Sequence, residues 1–459
     1  MTEALEKHRF DELYAEEDTT PKKHRLFWIM MAGFMFLVFV RNIYKIEYPI
    51  VILLGYACFM AMLADHDETM ALAVSFIPFS AAFQYRYALL AISVIYAIKH
   101  WEEMKNINLY AYIPLVLMMC WEASHALLGE FSLVLYLQGF SELMFCSFVI
   151  SLPNKKFDYS LISRTLAVAV VFCCSISLWK LLETVDFDFE AIFLEGNYRF
   201  GIVEADAGSY VLNYNANVLG FMCNMGMLGL LLRMEKHKAN IFDIVLSLLL
   251  VLIGFLTISR SFTICLLIAT VLYVFAVSRD IGRLLKYLAW VGTIVIFVLI
   301  IINVSAPYIL ENLFERFSEN DVTGGRAGLL EWYNNYLFDS PEHFLFGTGM
   351  QNILTKVNVD SWNVVDNVPH NAIQEILVIW GLMGLVLVVC MISLIVICSR
   401  RNQIHCLMNY LPLIMMLIMI QSGQFITGGK YLVFLVFVYA ALSTDFKKRK
   451  VKGDTYEPV

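Results

Sequence analysis

Charged side chains are scarce in this sequence. Asp, Glu, Lys and Arg supply 16% of its 459 residues, against about 25% in soluble globular proteins. A solvated globular domain is therefore a poor fit. The basic residues form no groove-like cluster that would track a nucleic-acid backbone. They sit in short turns between apolar runs, so no nucleic-acid partner is expected. A cleavable signal peptide is also lacking. Residues 1–25 are polar and mixed in charge, and the first apolar run begins near Leu26, which reads as a cytoplasmic tail. The two longest loops, 184–210 and 306–369, contain no cysteine. Nine of the ten cysteines lie in or beside apolar runs, and Cys406 sits in a short basic turn. That pattern signals neither a disulfide framework nor a CxxC metal site and reads as small buried hydrophobes.

Apolar sequence is what the chain has in quantity, at 59% hydrophobic residues and a mean hydropathy of +0.68. Apolar runs fall near 26–42, 48–64, 70–84, 86–99, 110–128, 131–152, 161–183, 211–232, 240–258, 261–278, 285–305, 370–398, 409–421 and 429–443. The expected fold is an all-α polytopic membrane protein of about 12–14 transmembrane helices with a long, partly helical extracytoplasmic loop. Its expected parts are a cytoplasmic tail (1–25), a bundle (26–305) with an outer loop at 184–210, and a large outer loop (306–369). C-terminal helices (370–443) and a basic cytoplasmic tail (444–459) follow.

Both tails carry basic residues, Lys22, Lys23 and Arg25 at one end and Lys447, Lys448, Arg449 and Lys450 at the other. The excess of Lys and Arg on the cytoplasmic side of membrane proteins puts both termini inside. The basic turns at 233–238, 279–286 and 400–405 alternate accordingly, whereas the turn at Asp65–Glu68 is acidic where the rule asks for basic residues. The loops 184–210 and 306–369 then lie outside. Within the second, GRAGLLEWYNNYLF (325–338) has helical periodicity, with Leu329, Trp332, Tyr333 and Tyr336 on one side. It is expected to lie at the membrane interface or to pack on the bundle.

Arg260, Arg326 and His370 all fall on the outer face of this topology. Arg260 splits two apolar runs, Arg326 follows a flexible TGG, and His370 stands where the large loop re-enters the membrane. Two guanidinium groups suit a multiply charged anion such as a phosphate, which they bind bidentately. A histidine beside them can accept a proton from a hydroxyl near neutral pH. Each has a blander reading alone. Arg260 can snorkel to headgroups, Arg326 can be a solvated loop residue, and His370 can cap the helix that follows. Only the combination points to chemistry.

The order of these motifs resembles the O-antigen ligase and O-antigen polymerase superfamily. His370-Asn371 followed by Gly381-Leu-Met-Gly384 is similar to its His-Asn…Gly-x-x-Gly signature. SRSFTICLL (259–267) is similar to its Ser-Arg motif, and GGRAGLLEWYNNYLFDSPEHFLFGTGM (324–350) to its Gly-Arg…Trp…Pro…Gly-x-Gly loop. Arg199-Phe-Gly201 and NYNAN (213–217, centred on Asn215) echo a further region but lack its proline. The resemblance covers roughly 190–440. It implies a metal-independent, cofactor-free integral-membrane glycosyltransferase of the bacterial inner membrane. Its donor would be an undecaprenyl-diphosphate-linked oligosaccharide or polysaccharide, used on the periplasmic face. Arg260 and Arg326 match the residues that hold the diphosphate, and His370 matches the base. Gln374 and Glu375 would support His370, with Arg199 and Asn215 as further site residues. A flippase and a chain-length regulator are the implied protein partners.

Polymerase and ligase use the same donor chemistry and differ in acceptor; the polymerase reading is preferred, with the ligase as the alternative. A non-enzymatic carrier of lipid-linked oligosaccharide or solute is the third reading. It would use charged groups at mid-membrane depth, for which Glu122, His125 and Glu142 are candidates, although structural pairing is the preferred reading of those residues. Gly381 and Gly384 are expected to let a neighbouring helix approach closely.

Overall fold

A computed structural model of the chain describes residues 24–80, 82–83, 85–126, 133–152, 157–188, 216–237, 240–278, scattered positions between 282 and 314, 327–350, 369, 371–400, 406–422, 434–444 and 446. Among the described residues there is no strand, and most of the apolar runs fall on helices. In chain order these are α1 (Arg25–Ile43), α2 (Val51–Leu63), α3 (His66–Ser75), α4 (Tyr85–Lys99), α5 (Ile113–Ala126), α6 (Leu133–Ser151) and α7 (Tyr159–Thr184). The second half contributes α8 (Ala216–Lys236), α9 (Ile241–Leu256), α10 (Arg260–Val277), α11 (Ala327–Asp339), α12 (Pro341–Phe346), α13 (Ala372–Arg400), α14 (Leu407–Met419) and α15 (Phe434–Leu442).

Helix is the necessary outcome for such runs, because lipid offers no partner to an unpaired backbone amide or carbonyl. Helices α1, α7, α8, α10 and α13 are long and apolar enough to cross a membrane. Their outer surfaces, and those of the shorter apolar helices, carry large exposed hydrophobes such as Ile29, Val51, Ile98, Ile241 and Leu267. A surface of that kind is suited to lipid, not to water. The chain is an all-α polytopic membrane protein.

Helix α7 lies at the centre, packed against α1, α3, α8 and α9. The run expected to span at 70–84 is instead a short helix, α3, followed by turns. Ten residues reach only about 15 Å, half of a bilayer's hydrocarbon core. Residues Thr69–Ser75 are buried, and Phe76, Phe79 and Phe83 close around Phe34 of α1. The acidic turn at Asp65–Glu68 has a local cause. Asp65 and Glu68 form a capping box at the start of α3, and His24 bonds Glu68 at 2.8 Å. These carboxylates cap a helix rather than report topology.

One end of the bundle is tied by a buried ion network. Arg164 of α7 donates two bonds to Asp243 of α9, at 2.7 and 3.0 Å. Arg233 of α8 donates to Asp243 and, at 2.7 Å, to Ser160. Asp243 is fully buried, so the two guanidiniums supply the compensation a buried carboxylate requires. Helix α14 also begins at this end. Asn409 donates to the carbonyls of Ala441 and Thr444 at 2.9 and 2.7 Å, and Phe446 packs on Tyr159. All ten cysteines are among the described residues, and none forms a disulfide. Cys146, Cys173, Cys174, Cys223 and Cys265 are buried, whereas Cys120, Cys390 and Cys406 are exposed.

Candidate active site

Arg260 opens α10 at the opposite end of α9 from Asp243. Only Thr257, Ile258 and Ser259 join α9 to α10, and each has a defined task. The Thr257 hydroxyl donates to the Gly254 carbonyl at 2.6 Å. Ser259 caps α10 by accepting from the Phe262 amide at 3.3 Å, and its hydroxyl bonds Asn217 Oδ1 of α8 at 2.8 Å. Ile258 has φ +48°, a rare conformation for a β-branched residue that costs about 1–3 kcal/mol. Packing holds the strained turn in place. Phe262 fills the notch between Gly220 of α8 and Gly254 of α9, where an added Cβ on Gly220 would meet it at 2.9 Å. Arg260 is thus presented, half-buried, on a rigid tip.

The start of α13 is brought to the same end. Asn224 of α8 donates to the Phe262 carbonyl at 3.2 Å and to Met419 Sδ of α14 at 3.5 Å. Two residues beyond Met419, the Gln421 carbonyl accepts from Asn371 Nδ2 at 3.4 Å. Asn371 is also the cap of α13, its Oδ1 accepting from the amides of Ile373 and Gln374 at 3.0 and 3.1 Å. The capping role considered for His370 is therefore held by its neighbour. The positive N-terminal ends of α10 and α13 face one end of the bundle, an arrangement that favours an anion.

Helix α11 lies against the first turn of α13. Gln374 Nε2 donates to the Leu330 carbonyl at 2.9 Å and to Asn334 Oδ1 at 3.0 Å. Tyr333 and Glu375 are both buried. Burial, and secondarily the Glu375 charge, push the Tyr333 hydroxyl up to about 12. Of the sequence-derived candidates, Arg260, Gln374 and Glu375 are described. Arg199, Asn215, Arg326 and His370 lie outside the described residues. Arg326 immediately precedes α11, and His370 precedes Asn371.

Below this end α13 is broken at Gly381, which has φ +66° and ψ −167°. The break leaves three carbonyls without their helical donors, and elements distant in sequence supply replacements. Val378 O accepts from the Thr348 amide and hydroxyl at 3.0 and 3.1 Å. Ile379 O accepts from the Gly349 amide at 2.7 Å, and Trp380 O from Trp121 Nε1 of α5 at 3.2 Å. Gly347 and Gly349 also have positive φ, +73° and +83°. A Cβ on Gly347 would meet Ile379 O at 2.5 Å, and one on Gly381 would collide with the Leu345 carbonyl. Gly381 therefore admits the last turn of α12 against α13, the close approach its spacing suggested, and it also breaks the helix so that the Gly-x-Gly segment can dock. A Cβ on Gly384 would collide with Trp380 of its own helix.

Helix α5 locks this joint. Glu122, buried, accepts from the Met350 amide at 2.9 Å and from Trp380 Nε1 at 2.8 Å. His125 Nε2 bonds the Phe346 carbonyl at 2.8 Å. Glu142 is likewise engaged, with the Tyr85 hydroxyl and with Arg86 Nε at 3.1 Å. The three polar residues that a carrier would have used are thus bonded within the bundle. Sequence reasoning flagged Glu122 and His125 as structural but did not see Trp121 or Trp380, which carry no motif of their own.

Residues 245–389 match a family model described as O-antigen ligase. That match covers about a third of the chain and supports its likeness to the O-antigen polymerase and ligase superfamily. The matched segment runs from α9 through the Arg260 tip, α11 and α12 to the broken helix α13. It therefore contains both glycine motifs that interlock. The family supports an enzyme of the glycosyltransferase kind, placed in the membrane and concerned with O-antigen polysaccharide. No curated protein matches the chain.

Proposed function

We propose that this chain is an O-antigen, capsular or exopolysaccharide polymerase. It transfers an undecaprenyl-diphosphate-linked glycan to the next lipid-linked repeat unit. The observation that carries the reading is the gathering of three elements at one end of the bundle: the Arg260 tip of α10, the capped start of α13, and α11 docked on that start. Arg326 and His370 are the sequence neighbours of the latter two.

In this reading His370 takes the proton from the acceptor hydroxyl, whose oxygen attacks the anomeric carbon. The bond from that carbon to the phosphate oxygen breaks, and undecaprenyl diphosphate leaves with its electron pair. Arg260 and Arg326 hold the diphosphate and stabilise the charge that develops on it. Attack opposite the leaving group inverts the anomeric centre. Gln374 and Glu375 steady the start of α13, and Arg199 and Asn215 complete the donor region. The site faces the periplasm, with the Asp243 network and both termini on the cytoplasmic side. The basic turn that begins at Arg233 lies at the Asp243 end, which supports this orientation.

Glycan banding of a deletion strain tests the assignment. Loss of a polymerase leaves lipid A core bearing a single repeat. Bare core with lipid-linked polymer accumulating would make the chain a ligase, and unchanged banding would remove it from O-antigen assembly.

A further inference from the structure

The helix that docks beside the proposed transfer site carries an ordered row of aromatic rings that the proposed chemistry does not use. Helix α11 buries Tyr333 and Leu337 against the bundle and turns Glu331, Asn335 and Asp339 outward. On the flank between these faces stands Trp332, half exposed. Its ring is parallel to that of Tyr336 within 10°, with centroids 6.0 Å apart. Tyr336 in turn stacks on His343 at 4.3 Å and 13°, and His343 Nδ1 bonds the Tyr336 carbonyl at 3.2 Å. The edge of Tyr333 meets Trp332 at 4.8 Å. The indole is thus held in one orientation before any ligand arrives, and little freedom remains to be lost on binding.

We propose that Trp332, fixed by Tyr336 and His343, is a stacking plate for a pyranose ring of the glycan, outside the transfer centre. This rests on the glycosyltransferase reading. A pyranose presents a flat C–H face rimmed by hydroxyls, which an aromatic face and adjacent polar side chains satisfy together. Here Glu331 and Asn335 stand beside the plate on the same helix. Charge separates this occupant from a membrane surface. Helices that lie on bilayers carry Lys and Arg toward anionic headgroups. Residues 327–350 contain neither, and Glu331, Asp339 and Glu342 are exposed. Tyr333 and Leu337 are spent on the bundle, and the exposed Phe338 is separated from Trp332 around the helix by Glu331, Asn335 and Asp339. The acidic rim also selects among sugars: it suits neutral or amine-bearing residues and opposes uronic acids.

Position supports the assignment. Helix α11 is bonded to Gln374, in the first turn of α13. A chain running from that end along α11 therefore meets Trp332 within its first few sugars.

The test uses the purified full-length protein in detergent micelles and in phosphatidylglycerol vesicles. Its probe is multi-repeat oligosaccharide cut from the cell's own polysaccharide, and donors of one and of several repeats are assayed for transfer. Trp332→Ala should weaken oligosaccharide binding about fivefold and raise KM for the multi-repeat donor by a similar factor, with kcat within about twofold. Trp332→Phe should recover most of the loss, and Asn335→Ala should weaken binding in the same direction. Unchanged oligosaccharide binding in Trp332→Ala would overturn the proposal. So would a defect confined to vesicles, which would make Trp332 a lipid anchor. Trp332-dependent binding by a wild-type protein that transfers nothing would uphold the plate and overturn the transferase reading instead.

Discussion

Trp380 donates its indole N–H to the buried Glu122 carboxylate at 2.8 Å, although 258 positions separate the two residues. The same carboxylate accepts the Met350 amide. One side chain from the first half of the chain thus joins the two glycine motifs of the second half. Glu122→Ala should leave two buried donors without partners, each costing about 1–3 kcal/mol. Glu122→Gln keeps an acceptor oxygen and should lose less. Thermal unfolding of the purified protein orders the variants; equal midpoints for wild type and Glu122→Ala would show that the clasp does not stabilise the fold.

Gly381 and Gly347 face each other across that joint, both at positive φ. A methyl group at either position meets backbone, which cannot swing aside as a flexible side chain can. Gly381→Ala and Gly347→Ala should each sharply reduce the yield of folded protein in detergent chromatography. Gly328, whose surroundings are open, is the control, and Gly328→Ala should behave as wild type.

Arg260→Lys and Arg326→Lys preserve charge and lose the planar fork. If the two residues hold a diphosphate, each change should lower transfer about tenfold to a hundredfold, the worth of a charged hydrogen bond. Membrane insertion should persist. Full activity in both lysine variants would reduce the arginines to headgroup or solvent contacts.

Tyr333 gives a pH signature for the docking of α11. Its hydroxyl is raised to about 12, whereas the unfolded chain releases that proton near 10. Between these values the unfolded state binds fewer protons, so stability falls as pH rises through the window and is unaffected below it. Tyr333→Phe should remove part of that alkaline loss. Identical stability profiles for variant and wild type from pH 9 to 12 would mean that Tyr333 titrates in contact with solvent.

Hydropathy alone located nearly every helix, because lipid leaves the backbone no alternative to internal pairing. It misplaced the run at 70–84, since a helix buried inside the bundle has the same composition as one that crosses the membrane. The acidic turn at Asp65–Glu68 contradicted the charge rule because capping chemistry, a local demand, outranked topology there. The Gly-x-x-Gly spacing announced a close helix approach, which α12 makes at Gly381. The break in α13 was not legible, because the backbone that replaces its lost partners lies in the distant Gly-x-Gly loop. The Ser-Arg tip was legible as a motif, whereas the positive φ of Ile258 that shapes it has no signal in sequence. Trp121 and Trp380 were invisible for the same reason, their partners lying far away along the chain.

Chain formation by His370→Asn is the most direct measurement of the proposed mechanism. Asn371 already caps α13, so asparagine at position 370 removes the base without removing the cap. Wild-type protein should convert lipid-linked repeats to polymer, and His370→Asn should form none while still binding the donor lipid. Near-normal polymer from His370→Asn would contradict the mechanism, because this histidine would then move no proton in the reaction.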